Sequence, residues 1–191
     1  MKLDHVEAAV LVGGASSRMG RDKARVPWNG VPMVRCVADA LGSCVTRVRL
    51  VIRPGSEPPL DLPCIEDVRA ERAPIVGVHA ALKACESAAV LVVACDLPEL
   101  DPALVLALLA LVPAADGADV VAPLGAKGHE PLFAVYRPRL LSEFERRIEA
   151  GELSLQSLLR DVETLGVPEA VLRELDPELR SLRNVNRPQD L

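Results

Sequence analysis

Residues 11 to 23 read LVGGASSRMGRDK, in which two adjacent glycines and two serines are followed at close spacing by Arg18, Arg21 and Lys23. Gly13 and Gly14 carry no Cβ, so the backbone can turn its N–H groups toward an anion, and the guanidinium and ammonium groups add forked and mobile positive charge around it. Such a segment can hold phosphate. Its spacing excludes two common phosphate loops. A P-loop requires G-x-x-x-x-G-K-[ST], whereas Gly20 is followed by Arg21 and Lys23 by Ala24. A dinucleotide fingerprint requires G-x-G-x-x-G at the opening of a helix, whereas the next helical pattern begins only near Pro32, after Pro27, Trp28 and the tight-turn pair Asn29-Gly30. Ordinary turn glycines and surface charges are the competing account. The position after an apolar strand, where open α/β sheets take their ligands, favours phosphate.

A second set of residues is CDLP at 95 to 98. Asp96 ends the most apolar run of the chain, so in a parallel sheet its carboxylate emerges at the same edge as the cationic segment. A hard oxygen anion facing a phosphate loop suggests Mg2+, which commonly takes one or two carboxylates together with phosphate oxygens. Helix capping is the alternative for Asp96, but Asp101, with Pro102 at the first helical position, is better placed for that. The expectation is a metal ligand at Asp96 and a helix cap at Asp101.

The elements that must position these groups alternate along the chain. AAVLV (8 to 12), VRLVI (48 to 52), AAVLVVA (88 to 94) and ADVVAP (118 to 123) are apolar, valine-rich runs suited to strands covered on both faces, and PLFAVY (131 to 136) reads as another strand. Between them Val34, Val37, Ala38 and Leu41 keep helical spacing, as do Val76, Ala80 and Ala84, then Leu104, Leu108 and Leu111. Leu140, Leu141, Phe144 and Ile148 form a further helical stripe, and SLQSLL (154 to 159) a short helix. This order predicts a three-layer α/β/α domain with a mostly parallel sheet.

A chain of 191 residues with 50% hydrophobic residues and no Gly, Ser or Pro linker reads as one domain. The net charge of −5 argues against a nonspecific nucleic-acid binder, which needs a broad surplus of Lys and Arg. Cys36, Cys44, Cys64, Cys85 and Cys95 are scattered, without the close pairing of zinc or redox sites, and most are expected to be small buried residues in a reducing cytoplasm. The opening MKLDHVE has no signal-peptide core, and the longest apolar stretch, 102 to 115, is too short to span a bilayer, so a soluble cytoplasmic protein with no membrane partner is expected.

With both motifs in view, the sequence resembles the molybdenum cofactor guanylyltransferases, within the wider nucleotidyltransferase group, over almost its whole length. LVGGASSRMGRDK resembles the signature L-x-G-G-x-S-x-R-M-G-x-D-K, and IEDVRAERAPIVGVHAAL (65 to 82) is similar to the D…G-P-L-x-G segment. ACDLP, EPLFAVY (130 to 136) and NVNRPQDL (184 to 191) resemble the metal, mid-chain and carboxyl-terminal motifs in the same order. Two departures stand out: Arg53 occupies a position where the family often has asparagine, and Ala73 precedes Pro74 where glycine is usual.

The resemblance implies a Rossmann-like nucleotidyltransferase fold and Mg2+-dependent transfer of GMP from GTP to the terminal phosphate of molybdopterin, bare or carrying molybdenum, with release of pyrophosphate. It implies that Leu11, Gly13, Gly14, Arg18 and Lys23 bind the nucleotide, that Asp67 contacts guanine, that Asp96 holds the metal, and that Asn184 and Asn186 contact the pterin phosphate or the loop holding it. Arg18, Lys23 and Asp96 are then the catalytic group, with Asp22 locking the loop; Arg187 stands where the family often has threonine, an extra cation expected to meet the acceptor's phosphate. For Asp67 a solvent-exposed loop aspartate is the competing account, and for Asn186 a helix cap partnered by Gln189. His129 and Glu130 are candidates for the acceptor pocket, whereas His5 and His79 carry no signal. Molybdoenzyme maturation proteins are the expected recipients. A relative using CTP or another phosphorylated acceptor, and a noncatalytic nucleotide-binding module, remain as alternatives at this stage.

Overall fold

The computed structural model describes residues 2–12, 23–69 and 71–186. In chain order its elements are β1 (Val6–Leu11), β2 (Pro27–Trp28), β3 (Val31–Pro32), α1 (Met33–Cys44), β4 (Val48–Ile52), β5 (Cys64–Glu66), α2 (Pro74–Lys83) and β6 (Ala89–Ala94). They continue with α3 (Pro102–Ala110), β7 (Val120–Gly125), β8 (Gly128–His129), β9 (Phe133–Tyr136), α4 (Leu141–Glu149), α5 (Leu155–Asp161), β10 (Thr164–Pro168) and α6 (Glu169–Leu172). Short 3-10 turns cover Lys23–Arg25, Pro138–Leu140 and Arg180–Leu182.

The main sheet runs β10-β7-β9-β6-β1-β4-β5. β1 pairs in parallel with β4 and β6, β4 with β5, and β7 with β10. β9 lies antiparallel to both β6 and β7, which makes the sheet mixed but mostly parallel. Both faces are covered. Val6, Ala8 and Val10 of β1 pack with Val34, Val37 and Leu41 of α1 and with Leu104 and Leu108 of α3. Ala9 and Leu11 pack on the opposite side with Ile75, Val76 and Val78 of α2 and Phe144 and Ile148 of α4. Alternate residues of one strand thus feed two separate cores, the arrangement of three layers.

Local signals explain several boundaries. Asp101 accepts a hydrogen bond from the Ala103 amide at 2.7 Å and caps α3, with Pro102 in its first turn. Asn29 and Gly30 join β2 to β3 with φ of 49° and 84°, the left-handed pair that a two-residue hairpin turn requires. The cysteine expectation holds in part: Cys44 and Cys95 are buried, but Cys36 and Cys85 are half-buried and Cys64 is exposed on the edge strand β5. Among the described residues, no helix is long and apolar enough to cross a membrane.

Candidate active site

β1 and β6 are parallel neighbours with Leu11 beside Ala94, so the chain leaves both strands at one edge of the sheet. The Cys95 amide donates to the Leu11 carbonyl at 3.3 Å, and Asp96 follows directly. Lys23, reached after the glycine-rich segment, donates from Nζ to Asp96 Oδ2 at 2.8 Å and to Asn186 Oδ1 at 2.6 Å. Residues read from three distant motifs therefore meet at one ammonium group.

Asn186 arrives there because the segment leading into it is tied down at two points. The Val185 amide donates to the Asp96 carbonyl at 3.0 Å, and the Val185 side chain is buried against Val26, Met33 and the partly buried Trp28. Upstream, the Ser181 amide donates to Asp176 Oδ2 at 2.8 Å, and Ser181 Oγ accepts from the Asp101 amide at 3.0 Å. Ser181 is fully buried, so this relay locks the segment to the loop that follows Asp96. Sequence reading missed Ser181 and Asp176. Their only trace is an acid and a hydroxyl five positions apart in DPELRS, a common pattern.

Asp96 uses one oxygen for Lys23, and its Oδ1 is buried with no hydrogen-bond partner among the described residues. A buried carboxylate oxygen left alone is costly, and a hard divalent cation satisfies it. The described residues contain no cluster of three or more His, Cys, Asp or Glu side chains able to hold a metal. A single carboxylate with one open oxygen suits Mg2+, which completes its shell with phosphate oxygens and water rather than a protein cage. The residues present thus fit the ion.

Asp67 lies just past β5, on the edge strand at the same carboxyl side of the sheet, with its amide bonded to the Ile52 carbonyl at 2.9 Å. It is buried at 6% exposure, which overturns the solvent-loop account. Arg53 Nε stands 3.9 Å from Oδ2, and the Arg69 amide donates to Oδ1 at 3.4 Å. Burial nevertheless prevails and raises the Asp67 pKa above the usual carboxylate value, with Arg53 the main opposing influence. Arg53, the departure from asparagine, therefore faces Asp67. Leu11 ends β1 at 7% exposure, and a Cβ added at Gly77 of α2 would stand 3.2 Å from Leu11 Cδ2, so helix and strand meet closely just before the glycine-rich segment of the sequence.

Next to Asp96 is a cavity of about 160 Å3 lined by Leu97, Glu130, Pro131, Leu132, Phe133, Leu182 and Asn184. Glu130 and Asn184 thus share a wall. His129 does not line it. Its Nε2 would be 3.0 Å from a Cβ added at Gly166 of β10, so the ring lies over that edge strand, and burial lowers its pKa. Gly13, Gly14, Arg18 and Asp22, and likewise Arg187 and Gln189, lie outside the described residues.

Residues 8–167 match the MobA-like NTP transferase domain. The chain belongs to the MobA-like NTP transferase family. It is 36% identical to a probable molybdenum cofactor guanylyltransferase of Nostoc sp., over 99% of this chain and 90% of that protein. It is 31% identical to the molybdenum cofactor guanylyltransferase of Desulfosudis oleivorans, over 99% and 94% of the two chains. Its backbone is similar to the crystal structure of molybdopterin-guanine dinucleotide biosynthesis protein A from Archaeoglobus fulgidus, with a TM-score of 0.84 at 28% identity, covering 96% and 94% of the chains. The matched MobA-like domain spans Leu11, Lys23, Asp67 and Asp96 but ends before Asn184 and Asn186. In this MobA-like transferase the final segment is nevertheless built into the site through Lys23 and Asp96.

Proposed function

We propose that this chain transfers GMP from GTP to the terminal phosphate of molybdopterin, bare or already carrying molybdenum, and releases pyrophosphate. The observation that carries this reading is the Lys23 ammonium bonded to both Asp96 and Asn186, while Asp96 Oδ1 has no hydrogen-bond partner among the described residues. An acceptor phosphate oxygen attacks the α-phosphorus of GTP in line, a new P–O bond forms, the bond to the β-phosphate bridging oxygen breaks, and pyrophosphate departs. No covalent enzyme intermediate is needed, so positioning and charge neutralisation supply the catalysis.

In this scheme Gly13 and Gly14, with Arg18 and Lys23, hold the triphosphate. Asp67 accepts from the N1 and N2 donors of guanine, and Asn184 and Asn186 hold the acceptor's phosphate. Asp96 would hold Mg2+ through Oδ1. When bound, that ion neutralises phosphate charge and polarises phosphoryl oxygens. Lys23 meanwhile keeps the other Asp96 oxygen engaged and orients the carboxylate. Transfer of the finished dinucleotide to molybdoenzyme maturation proteins belongs to the same proposal. The relatives named as molybdenum cofactor guanylyltransferases support it.

A thermal-shift panel with GTP, CTP, ATP and UTP, each with Mg2+, tests base and metal together, because a ligand bound only by the native state raises Tm. GTP is expected to give the largest rise, and only with the metal. Formation of a guanine dinucleotide from GTP and molybdopterin then tests the transfer. A larger response to CTP, or no transfer from GTP, overturns the reading.

A further inference from the structure

The cavity beside Asp96 has an unusual wall. Leu97, Leu132, Phe133 and Leu182 make it apolar, and Glu130 brings the one ionisable side chain among its lining residues. The Glu130 backbone is fixed: its amide donates to the Pro123 carbonyl at 2.9 Å, and its carbonyl accepts from the Phe133 amide at 3.2 Å. The next residue is fixed too, because the Pro131 carbonyl accepts from the buried Tyr136 hydroxyl at 2.7 Å. No hydrogen bond or ion pair with another described residue engages the Glu130 carboxylate. Burial raises its pKa, with Lys127 opposing, as expected of a carboxylate held against apolar surface.

An apolar slot with one rigidly mounted carboxylate suits a flat heteroaromatic ring that presents two adjacent N–H donors, since a carboxylate accepts such a pair side by side. An aminopyrimidinone ring has that edge. We propose that Glu130 reads the acceptor by accepting hydrogen bonds from the aminopyrimidinone edge of a pterin seated in this cavity. The inference rests on the acceptor proposed above, and the position agrees with it. Leu97 follows Asp96 in the chain, and Asn184 stands two residues before Asn186, so a ring in the cavity leaves its phosphate arm toward Lys23 and Asn186. Glu130 then decides specificity and takes no part in the phosphoryl transfer.

Guanine carries the same donor pair, so the test must separate pterin from the base of GTP. Binding of pterin and of lumazine, which has a 2-oxo group in place of the 2-amino group, is measured by fluorescence on the whole chain and on Glu130→Gln, with the Kd for GTP and the Tm recorded in parallel. The carboxylate is expected to favour pterin, and the carboxamide, which can donate to the 2-oxo group, to lower the pterin-to-lumazine ratio about tenfold or more. The GTP Kd is expected to stay within about twofold of the parent, since the cavity is assigned to the acceptor. A structural role would move Tm without moving that ratio. An unchanged ratio, no pterin binding by the parent protein, or a loss confined to GTP overturns the assignment. Failure of the parent to make a dinucleotide from GTP and molybdopterin instead overturns the transfer reaction, and leaves the pterin ratio as a separate result.

Discussion

Lys23 Nζ lies 2.8 Å from Asp96 Oδ2, joining the end of the glycine-rich segment to the end of the central strand β6 across 73 positions of sequence. Both side chains are mostly shielded, at 22% and 15% exposure, so the contact belongs to the site and not to the solvated surface. The same ammonium holds Asn186 at 2.6 Å. One cation therefore joins the start of the described chain after residue 22, the end of β6 and the carboxyl-terminal segment.

Lys23→Ala removes that cation together with its two hydrogen bonds. The loss of a charge-assisted hydrogen bond to the triphosphate is worth about 1.5–3 kcal/mol, or roughly a 10- to 150-fold rise in the Kd for GTP. Calorimetric titration with GTP and Mg2+ checks this, and an unchanged Kd removes Lys23 from the nucleotide site.

Asp96→Asn keeps the shape of the side chain and an oxygen for Lys23, but it removes the charge that the open Oδ1 offers to a cation. Several kcal/mol of metal-dependent stabilisation then disappear, and turnover is expected to fall by at least about 100-fold without rescue by excess Mg2+. Treating the parent protein with a chelator should produce the same loss. Tm without ligand is expected to fall, because the amide leaves the shielded Lys23 ammonium without its charged partner. Near-normal turnover in Asp96→Asn would take the metal away from this residue.

The inner strands were legible because β1, β4, β6, β7 and β9 carry mostly apolar, valine-rich runs. The edge strands β5 and β10 were not. CIE and TLGVP are short and half-exposed, and they lack the run that burial on two faces imposes. The reversed direction of β9 was also hidden, since FAVY is fully buried and looks the same either way round. At the site, Lys23 and Asp96 could be read from charge type and strand position. The burial of Asp67 could not, because it stands in IEDVRAER, where surrounding charges suggest solvent, and only the fold supplies α2 and Arg53 around it. Glu7 makes the same point within a strand. It is 2% exposed in β1 because Arg47 donates to it at 3.0 Å from just before β4, a pairing that only the parallel register brings about.

Asp67→Asn tests base recognition against stability. Burial raises the Asp67 pKa, so the folded state holds this proton more tightly than the unfolded chain does. The stability that protonation contributes is complete below the unfolded value and is lost as pH rises through the folded value. At neutral pH the ionised group is a net cost, and the amide is expected to raise Tm there, by less and less as pH falls toward the ordinary carboxylate range. The preference for GTP over ATP should fall in the same variant. A lowered Tm at neutral pH with unaltered base preference would make Asp67 a structural partner of Arg53.

Glu143 has the opposite sign. Hydrogen bonds from Arg146 and Arg147 depress its pKa to about 2, so its contribution is complete above the unfolded carboxylate pKa and is lost as pH falls from there through about 2. Glu143→Gln is expected to lower Tm at neutral pH and to converge with the parent in acid. Melting curves across that range decide it, and an undiminished gap as pH falls below about 2 would mean that packing, not charge, is what the substitution disturbs.

Tyr136→Phe addresses the cavity wall without touching a charge. The ring is fully buried, edge-on to Phe144 with centroids 5.9 Å apart, and its hydroxyl donates to the Pro131 carbonyl at 2.7 Å. Burial pushes the Tyr136 pKa upward, so the hydroxyl remains a donor throughout the working pH range. Phenylalanine keeps the ring contacts and leaves the Pro131 carbonyl without its donor, a loss of about 1–2 kcal/mol and hence roughly 2–8 °C in Tm for a chain of this size. Because Pro131 lines the cavity next to Glu130, the freed carbonyl should loosen the acceptor site while the nucleotide loop stays as it was. The KM for molybdopterin is therefore expected to rise with the Kd for GTP unchanged. A parallel rise in both would show that the Tyr136 bond supports the sheet edge as a whole and has no separate effect on the acceptor side.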